Sequence, residues 1–288
     1  MKKFNLFLRN WQQELKLFLF FTSLFTLFRI AFISIYSYQL EDGSYRDVIL
    51  CLWYGLRLSL KTTGIIVLIS AVFATLPQLF FIKWPSDLLR KVISSLSVML
   101  FTILFFARVP YYKIFNSGFN IMLINGMYDD ISAIIDTAVN EYQLLWRLPA
   151  AIICGIILAW ILCKFLDTRT YKIKFISKNK RWLYSFGIII FLTIFWIFVR
   201  YGGAFSYAGS VNWENAERLK SNLLNEAILD DGQSLYRVKS IAGKIKKINN
   251  VEISADALRQ KIELLGGNPS AGNIDEAFKK VVAVPKLQ

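Results

Sequence analysis

The reactive side chains present in this chain limit the chemistry it can perform. It contains no histidine, which excludes every His-dependent triad, general base and zinc ligand set within its 288 residues. The three cysteines are Cys51, Cys154 and Cys163, and no CxxC spacing occurs. Two of them fall in one apolar stretch, so we expect neither a disulfide framework nor a thiolate metal site.

Acidic residues are the remaining candidates for acid–base or metal chemistry, and they form two groups. The first group lies between apolar stretches and comprises Asp129, Asp130, Asp136 and Glu141. Adjacent carboxylates point in different directions on a helix, which favours a solvated loop over a shared site. The second group lies near the C-terminus and comprises Glu214, Glu226, Asp230 and Asp231. We interpret these as helix caps and linker contacts rather than as catalytic carboxylates.

One basic residue, Arg29, lies inside an apolar stretch long enough to cross a membrane. A charge at such a depth is energetically costly and marks a functional candidate by default. The alternative, which we favour, is that its guanidinium reaches towards the interface or pairs with polar groups on a neighbouring helix.

The apolar stretches themselves predict an all-α integral membrane protein. The chain is 55% hydrophobic and only 19% charged, whereas a soluble domain of this length would carry more charge. The predicted spans are residues 17–38, 62–82, 92–107, 148–163 and 183–199. Each approaches the ~20 residues needed to cross ~30 Å of hydrocarbon. We therefore predict a five-helix transmembrane domain over residues 1–200.

The distribution of lysine and arginine predicts how these spans are oriented. Basic residues precede the first span at Lys2, Lys3, Arg9 and Lys16, and seven more fall within residues 164–181. The positive-inside rule then places the N-terminus in the cytoplasm and residues after 201 outside it. The net charge of +14 is explained by this topology and by anionic phospholipids, and we expect no nucleic-acid partner.

Residues 201–288 change to amphipathic helical patterns, which predict an extracytoplasmic helical linker. Asn212 is a candidate N-cap, and an apolar stripe recurs at helical spacing from Leu235 to Ile248. The basic residues flanking the stripe are candidates for contact with an anionic lipid surface: Arg237, Lys239, Lys244, Lys246 and Lys247. Packing of the stripe against a following domain is the open alternative. Further on, Ser254 is a candidate cap for a short helix, and residues 281–284 indicate a strand.

Four short stretches of this tail carry a family resemblance: RYGG at 200–203, NWENA at 212–216, LNEAILDD at 224–231 and LYR at 235–237. They resemble the region after the last span in lipoteichoic-acid-synthase-like proteins. Those proteins are phosphoglycerol or phosphoethanolamine transferases of the alkaline phosphatase/sulfatase superfamily. The resemblance extends over the whole chain in architecture, as five spans followed by a helical linker.

In that family a metal-dependent, sulfatase-like domain follows outside the membrane, with a Thr nucleophile and Asp, Glu and His metal ligands. The resemblance implies that this chain is the anchor and linker of such an enzyme in a bacterial cytoplasmic membrane, ending about where the catalytic domain begins. It implies no catalytic residue, cofactor or metal within these residues, since a divalent metal such as Mn would belong to the following domain. Membrane phospholipids and that domain are the expected partners.

Two other functions compete with this interpretation. A small transporter or channel typically shows paired, Gly- or Pro-interrupted spans or internal repeats, and no such symmetry is evident. An independent membrane-embedded enzyme needs polar residues that converge inside the spans. Only Arg29 and a few Ser and Thr residues are available for that purpose.

Overall fold

The structure is a computed structural model, and it describes most of the chain. The described residues are 2–41, 43–81, 83–126, 136, 138–171 and 178–249. They are predominantly helical, and none of them belongs to a β-strand. The prediction of an all-α protein is therefore confirmed for this part of the chain.

The main helices differ greatly in length. In chain order they are α1 (Lys2–Ile35), α2 (Tyr45–Ser70), α3 (Leu76–Phe80), α4 (Ser86–Phe115), α5 (Met122–Gly126), α6 (Leu144–Leu166), α7 (Lys178–Arg200), α8 (Asn222–Ile228) and α9 (Asp231–Asn249). A π-helical turn, Ala71–Thr75, joins α2 to α3 without a break. Two short 3₁₀ turns occur at Ser37–Gln39 and Trp213–Asn215.

Several of these helices are long and apolar enough to cross a membrane. Within the described residues, four segments meet that requirement: Asn5–Ile35, Tyr45–Gln78, Ser86–Phe115 and Leu144–Leu166. They include most of the first four predicted spans. The fifth predicted span lies in α7, whose apolar part, Phe186–Arg200, is shorter. The fold is that of an all-α protein with several helices of membrane-spanning length.

The first two long helices begin well before the apolar stretches that predicted them. Residues 17–38 and 62–82 were expected, whereas α1 starts at Lys2 and α2 at Tyr45. The added turns carry polar residues that the fold buries, such as Glu14 and Ser59. A hydropathy pattern places such residues outside a span because it depends only on the polarity of each side chain. It carries no information about the hydrogen-bond partners that allow a polar side chain to be buried.

Aromatic side chains fill the middle of the helical bundle. Phe28 on α1 stacks on Phe105 of α4 with ring centroids 4.5 Å apart, and Phe25 meets Phe101 edge to face at 4.9 Å. These are the favoured geometries of aromatic pairs. The contacts align α1 with α4 and leave a polar cluster towards each end of the bundle.

The chain turns back onto the bundle directly after α7. Gly202 and Gly203 have positive φ angles of 60° and 75°, and their N–H groups donate to carbonyls in the last turn of α7. Such left-handed residues close a helix, and glycine adopts them without strain. The Gly202 carbonyl then accepts from Arg57 Nε at 2.9 Å, which holds the turn against α2.

Two compact units divide the chain, Met1–Lys239 and Ser240–Gln288, and α9 contributes to both. Every contact discussed below lies in the first unit. The predicted short helix after Ser254 and the predicted strand at 281–284 lie outside the described residues.

Candidate functional site

The tail segment that contains α8 and the start of α9 inserts among α1, α2 and α4. Polar groups of the segment meet polar groups of those three helices inside the protein. We call this cluster the tail-docking site and define it by six charged residues: Arg29, Arg108, Glu226, Asp230, Asp231 and Arg237. Its three cations and three carboxylates balance in formal charge, as the burial of ions requires.

The break between α8 and α9 explains why two arginines are buried here. A helix leaves its last four carbonyl groups without helical partners, and its C-terminus carries partial negative charge. Arg29 donates to the carbonyls of Ala227 and Ile228 at 2.8 and 3.2 Å. Arg108 donates to the carbonyls of Glu226 and Leu229 at 2.5 and 2.9 Å. The two guanidinium groups therefore cap the end of α8.

Arg29 also joins the tail to α2. Its Nη2 donates to the Gly55 carbonyl at 2.9 Å and to the Ser59 hydroxyl at 2.8 Å. A Cβ atom built at Gly55 would lie 2.1 Å from Arg29 Nε, so only glycine leaves room for this side chain. Of the two environments that we favoured for Arg29, the interface or a neighbouring helix, the structure shows pairing with a neighbouring helix. The contact with the tail was not foreseen.

Asp230 caps the helix that follows it. Its Oδ1 accepts from the backbone N–H of Gln233 at 2.9 Å, the usual N-cap interaction. The same carboxylate accepts from the Thr62 hydroxyl of α2 at 2.9 Å. The interpretation of Asp230 as a cap and linker contact is therefore confirmed, and the cap is anchored to α2.

The other two carboxylates of the tail-docking site pair with arginines. Glu226 lies 2.9 Å from Arg237 and accepts from the Gly118 N–H at 2.9 Å. Burial alone would raise the pKa of Glu226, but these hydrogen bonds hold it below its usual range. Asp231 lies 3.4 Å from Arg108. Burial raises the pKa of Asp231 to about 6 despite that neighbour, because desolvation outweighs the attraction.

The candidate lipid-surface residues of α9 fall into two sets. Arg237 does not face the surroundings: its guanidinium pairs with Glu226 and donates to the Phe119 carbonyl at 3.1 Å. The start of the stripe packs into the protein, where Val238 contacts Phe119, so the guanidinium of Arg237 is engaged by the chain itself and its contact with lipid stays a prediction. The remaining candidates have exposed side chains, and their contact with lipid stays a prediction: Lys239, Lys244, Lys246 and Lys247.

The remaining polar candidates lie outside the tail-docking site. Asp129 and Asp130 are beyond the described residues, while Asp136, Glu141 and Glu214 are exposed. No group of three or more His, Cys, Asp or Glu residues in the described part of the chain is placed to hold a metal. The three cysteines are free, and the buried thiol of Cys51 lies 3.3 Å from the Leu224 carbonyl.

Arg108 is the site residue that sequence reasoning missed. It follows the third predicted span directly, where the predicted topology has an outer loop, but it is 4% exposed and its guanidinium lies 4.3 Å from the Phe32 ring centre. The available signal was the matching excess of carboxylates in residues 226–231. That signal does not identify which arginine pairs with these carboxylates.

Comparisons with known proteins give no relative: no family model, no curated protein and no solved structure matches this chain. The class of the protein is therefore defined by its fold, as an all-α chain with several helices of membrane-spanning length and composition. Within that class, its distinguishing feature is a C-terminal tail held in the helical bundle by buried ion pairs.

Proposed function

We propose that this chain is the membrane anchor and linker region of a lipoteichoic-acid-synthase-like, sulfatase-family transferase. Such an enzyme moves phosphoglycerol or phosphoethanolamine onto cell-envelope lipids or glycans. In this proposal five helices cross a bacterial cytoplasmic membrane, with the N-terminus in the cytoplasm and the tail outside it. The catalytic residues and a divalent metal such as Mn belong to a domain beyond these residues.

The burial of the tail carries this proposal. Leu223, Leu224, Ala227, Ile228 and Leu229 are each at most 2% exposed. Burying a large aliphatic side chain is worth roughly 1.5–3 kcal/mol relative to its exposure to water. A tail fixed in this way gives the linker a fixed starting point on the helical bundle, whereas a flexible tether would not.

The stretches that resemble the transferase family also have structural roles in docking. Residues 200–203 close α7, and residues 212–216 include the 3₁₀ turn that Asn212 caps. Residues 224–231 supply Glu226, Asp230 and Asp231 to the tail-docking site. The resemblance therefore falls on residues that attach a linker, which supports an anchor function over a catalytic one for this part of the enzyme.

The topology is tested with a reporter enzyme that is active only outside the cytoplasm. We expect activity when the reporter is fused after Tyr201 and none when it is fused after Leu166. The same two fusions with a reporter that works only in the cytoplasm should give the opposite pattern. Cytoplasmic activity after Tyr201 would contradict both the five-span topology and the family assignment.

The transferase assignment is tested on the full reading frame that encodes this chain. We expect it to encode a following domain with a Thr nucleophile and His metal ligands. The purified product in lipid bilayers should then transfer glycerol phosphate or phosphoethanolamine with Mn²⁺ and lose that activity when the Thr is replaced. A frame without such a domain would favour a stand-alone multi-pass protein, such as a small transporter.

A further inference from the structure

The end of the bundle where α1 begins contains a second polar region, at the opposite end of α1 from Arg29. A cavity of about 700 Å³ lies between the beginnings of α1 and α4 and the end of α6. Its charged lining residues are Arg9, Asp87, Arg90, Lys91, Asp167 and Arg169. Cations thus outnumber carboxylates in the lining, as a site for an anion requires.

Buried hydrogen bonds fix one wall of this cavity. Arg90 is 1% exposed, and its Nε lies 3.0 Å from Glu14 Oε1. Thr75, at the end of the π-helical turn, accepts from Arg90 at 2.9 Å and donates to Glu14 at 2.7 Å. Arg90 is therefore held in place before any ligand arrives, which lowers the entropic cost of binding.

The ion pairs around the cavity leave one cation over. Arg9 pairs with Asp87, and Lys91 lies 2.7 Å from Asp167. Arg90 pairs with Glu14 behind it and also lies 3.2 Å from Asp87, which it shares with Arg9. Arg169 is exposed and has no hydrogen-bond or ion-pair partner within the described residues.

A buried acceptor beside the cavity lacks a donor. Gln13 is 7% exposed and lines the cavity, and its Nε2 donates to the Leu166 carbonyl at 3.1 Å. Its Oε1 is buried without a partner in the described structure. An unsatisfied buried acceptor costs about 1–3 kcal/mol, so a rotation of the Gln13 amide that turns Oε1 into the cavity towards a ligand hydroxyl would be favoured.

We propose that this cavity binds a phosphate ester, with the phosphate beside Arg169, Arg90 and Lys91 and a hydroxyl of the same ligand donating to Gln13. Phosphate forms charge-assisted hydrogen bonds with guanidinium groups. The cavity lies where three helices of membrane-spanning length begin or end, so either a lipid headgroup or a soluble phosphate ester has access to it. The inference does not depend on the function proposed for the tail.

The test uses the full chain in nanodiscs and separates the two sources of phosphate. In one arm, native mass spectrometry counts phosphatidylglycerol retained from mixed phosphatidylglycerol and phosphatidylcholine nanodiscs. In the other, calorimetry follows titration of glycerol 3-phosphate into protein in phosphatidylcholine nanodiscs. We expect saturable binding in at least one arm, and the responding arm identifies the source.

Two matched variants make the test specific for the cavity. Arg169→Ala should weaken binding about tenfold, as the loss of one charge-assisted hydrogen bond predicts. Arg46→Ala removes the same charge from an exposed arginine at the other end of the bundle and should leave binding unchanged. Equal weakening in both variants, or no binding in either arm, would overturn the proposal.

Discussion

Two arginines show how this fold stabilises charges inside an apolar bundle. Arg29 and Arg108 are 3% and 4% exposed, and both donate to carbonyls that α8 leaves free at its C-terminus. Their positive charge also complements the negative end of that short helix. Removal of either side chain leaves backbone acceptors buried without a donor, which costs more than the absent bonds alone.

The first prediction concerns Arg108. Replacement with Gln breaks the buried pair with Asp231, at a cost of about 3–5 kcal/mol, and should release the tail. The buried thiol of Cys51 reports this event, because Leu224 of the docked tail covers it. In a background with Cys154→Ala and Cys163→Ala, a water-soluble maleimide should label the variant at least ten times faster. Equal rates in Arg108→Gln and in the control Arg46→Gln would refute this role.

A second prediction at this scale concerns Gly55. A methyl group there would displace Arg29, because the Cβ position is 2.1 Å from its Nε. Gly55→Ala should therefore lower the melting temperature in detergent by several degrees. Gly187→Ala is the matched control in another apolar helix, where a Cβ meets nothing within 4 Å. It should leave the melting temperature unchanged or raise it, since alanine favours helix. Similar results for the two variants would contradict the account.

At the scale of elements, the important feature is that α8 and α9 are separate helices. Asp230 lies between them and caps α9 while it accepts from Thr62. At this break the tail changes direction beside Phe101 of α4. Gly232 lies so close to it that a Cβ built at Gly232 would be 3.2 Å from the Phe101 ring. In a continuous helix, the last carbonyls of α8 would be bonded within the helix and could not accept from Arg29 and Arg108. Asp230 would likewise not be an N-cap residue anchored to Thr62.

The two buried carboxylates of these elements predict how stability depends on pH. The pKa of Asp231 is raised to about 6, so its contribution is greatest below its usual pKa near 3.9 and is lost as pH rises through 6. The pKa of Glu226 is lowered, so its contribution is present above about 4.3 and is lost as pH falls further. Docking should therefore be most stable at about pH 4 and lose stability on either side of it.

Calorimetric melting at several pH values measures this dependence. The native chain should lose stability between about pH 4 and 6.5, an interval that runs from the usual pKa of an aspartate to just above the raised pKa of Asp231. Asp231→Asn removes the titrating group and should flatten the curve over that interval. Parallel curves for the two proteins would show that Asp231 does not cause the loss of stability over that interval.

For the whole molecule, the sequence predicts the class of fold well and the path of the tail poorly. Long apolar stretches identify several spans, and Asn212 and Asp230 are recognisable caps. Docking was not predictable, because the pattern of α8 is that of any amphipathic helix and does not name its partner. The helices also extend beyond their apolar stretches, where buried pairs such as Arg90 with Glu14 satisfy residues that hydropathy assigns to loops.

Apolar packing separates the two polar regions of the molecule. Phe21 and Phe25 on α1 are buried in the cluster that lies between Glu14 and Arg29 along that helix. The tail-docking site is balanced in charge, whereas the lining of the opposite cavity has an excess of cations. One end of the bundle is thus filled by the chain's own tail, and the other contains a cavity.

The central claim is that the tail lies inside the helical bundle, and a disulfide across the tail-docking site tests it most directly. A Cβ built at Gly118 lies 3.4 Å from the Ser234 Oγ, which is within disulfide reach, and Ser234 is fully buried. The same Cβ lies 2.8 Å from Glu226 Oε2, so the end of that flexible side chain must shift in every variant that carries Gly118→Cys. In a background without the three native cysteines, Gly118→Cys with Ser234→Cys should form a disulfide in native membranes under mild oxidation. Gly118→Cys with Tyr236→Cys is the matched control, since Tyr236 is 57% exposed, and it should remain reduced. If the buried pair stays reduced, or both pairs oxidise to the same extent, the tail is not docked as described.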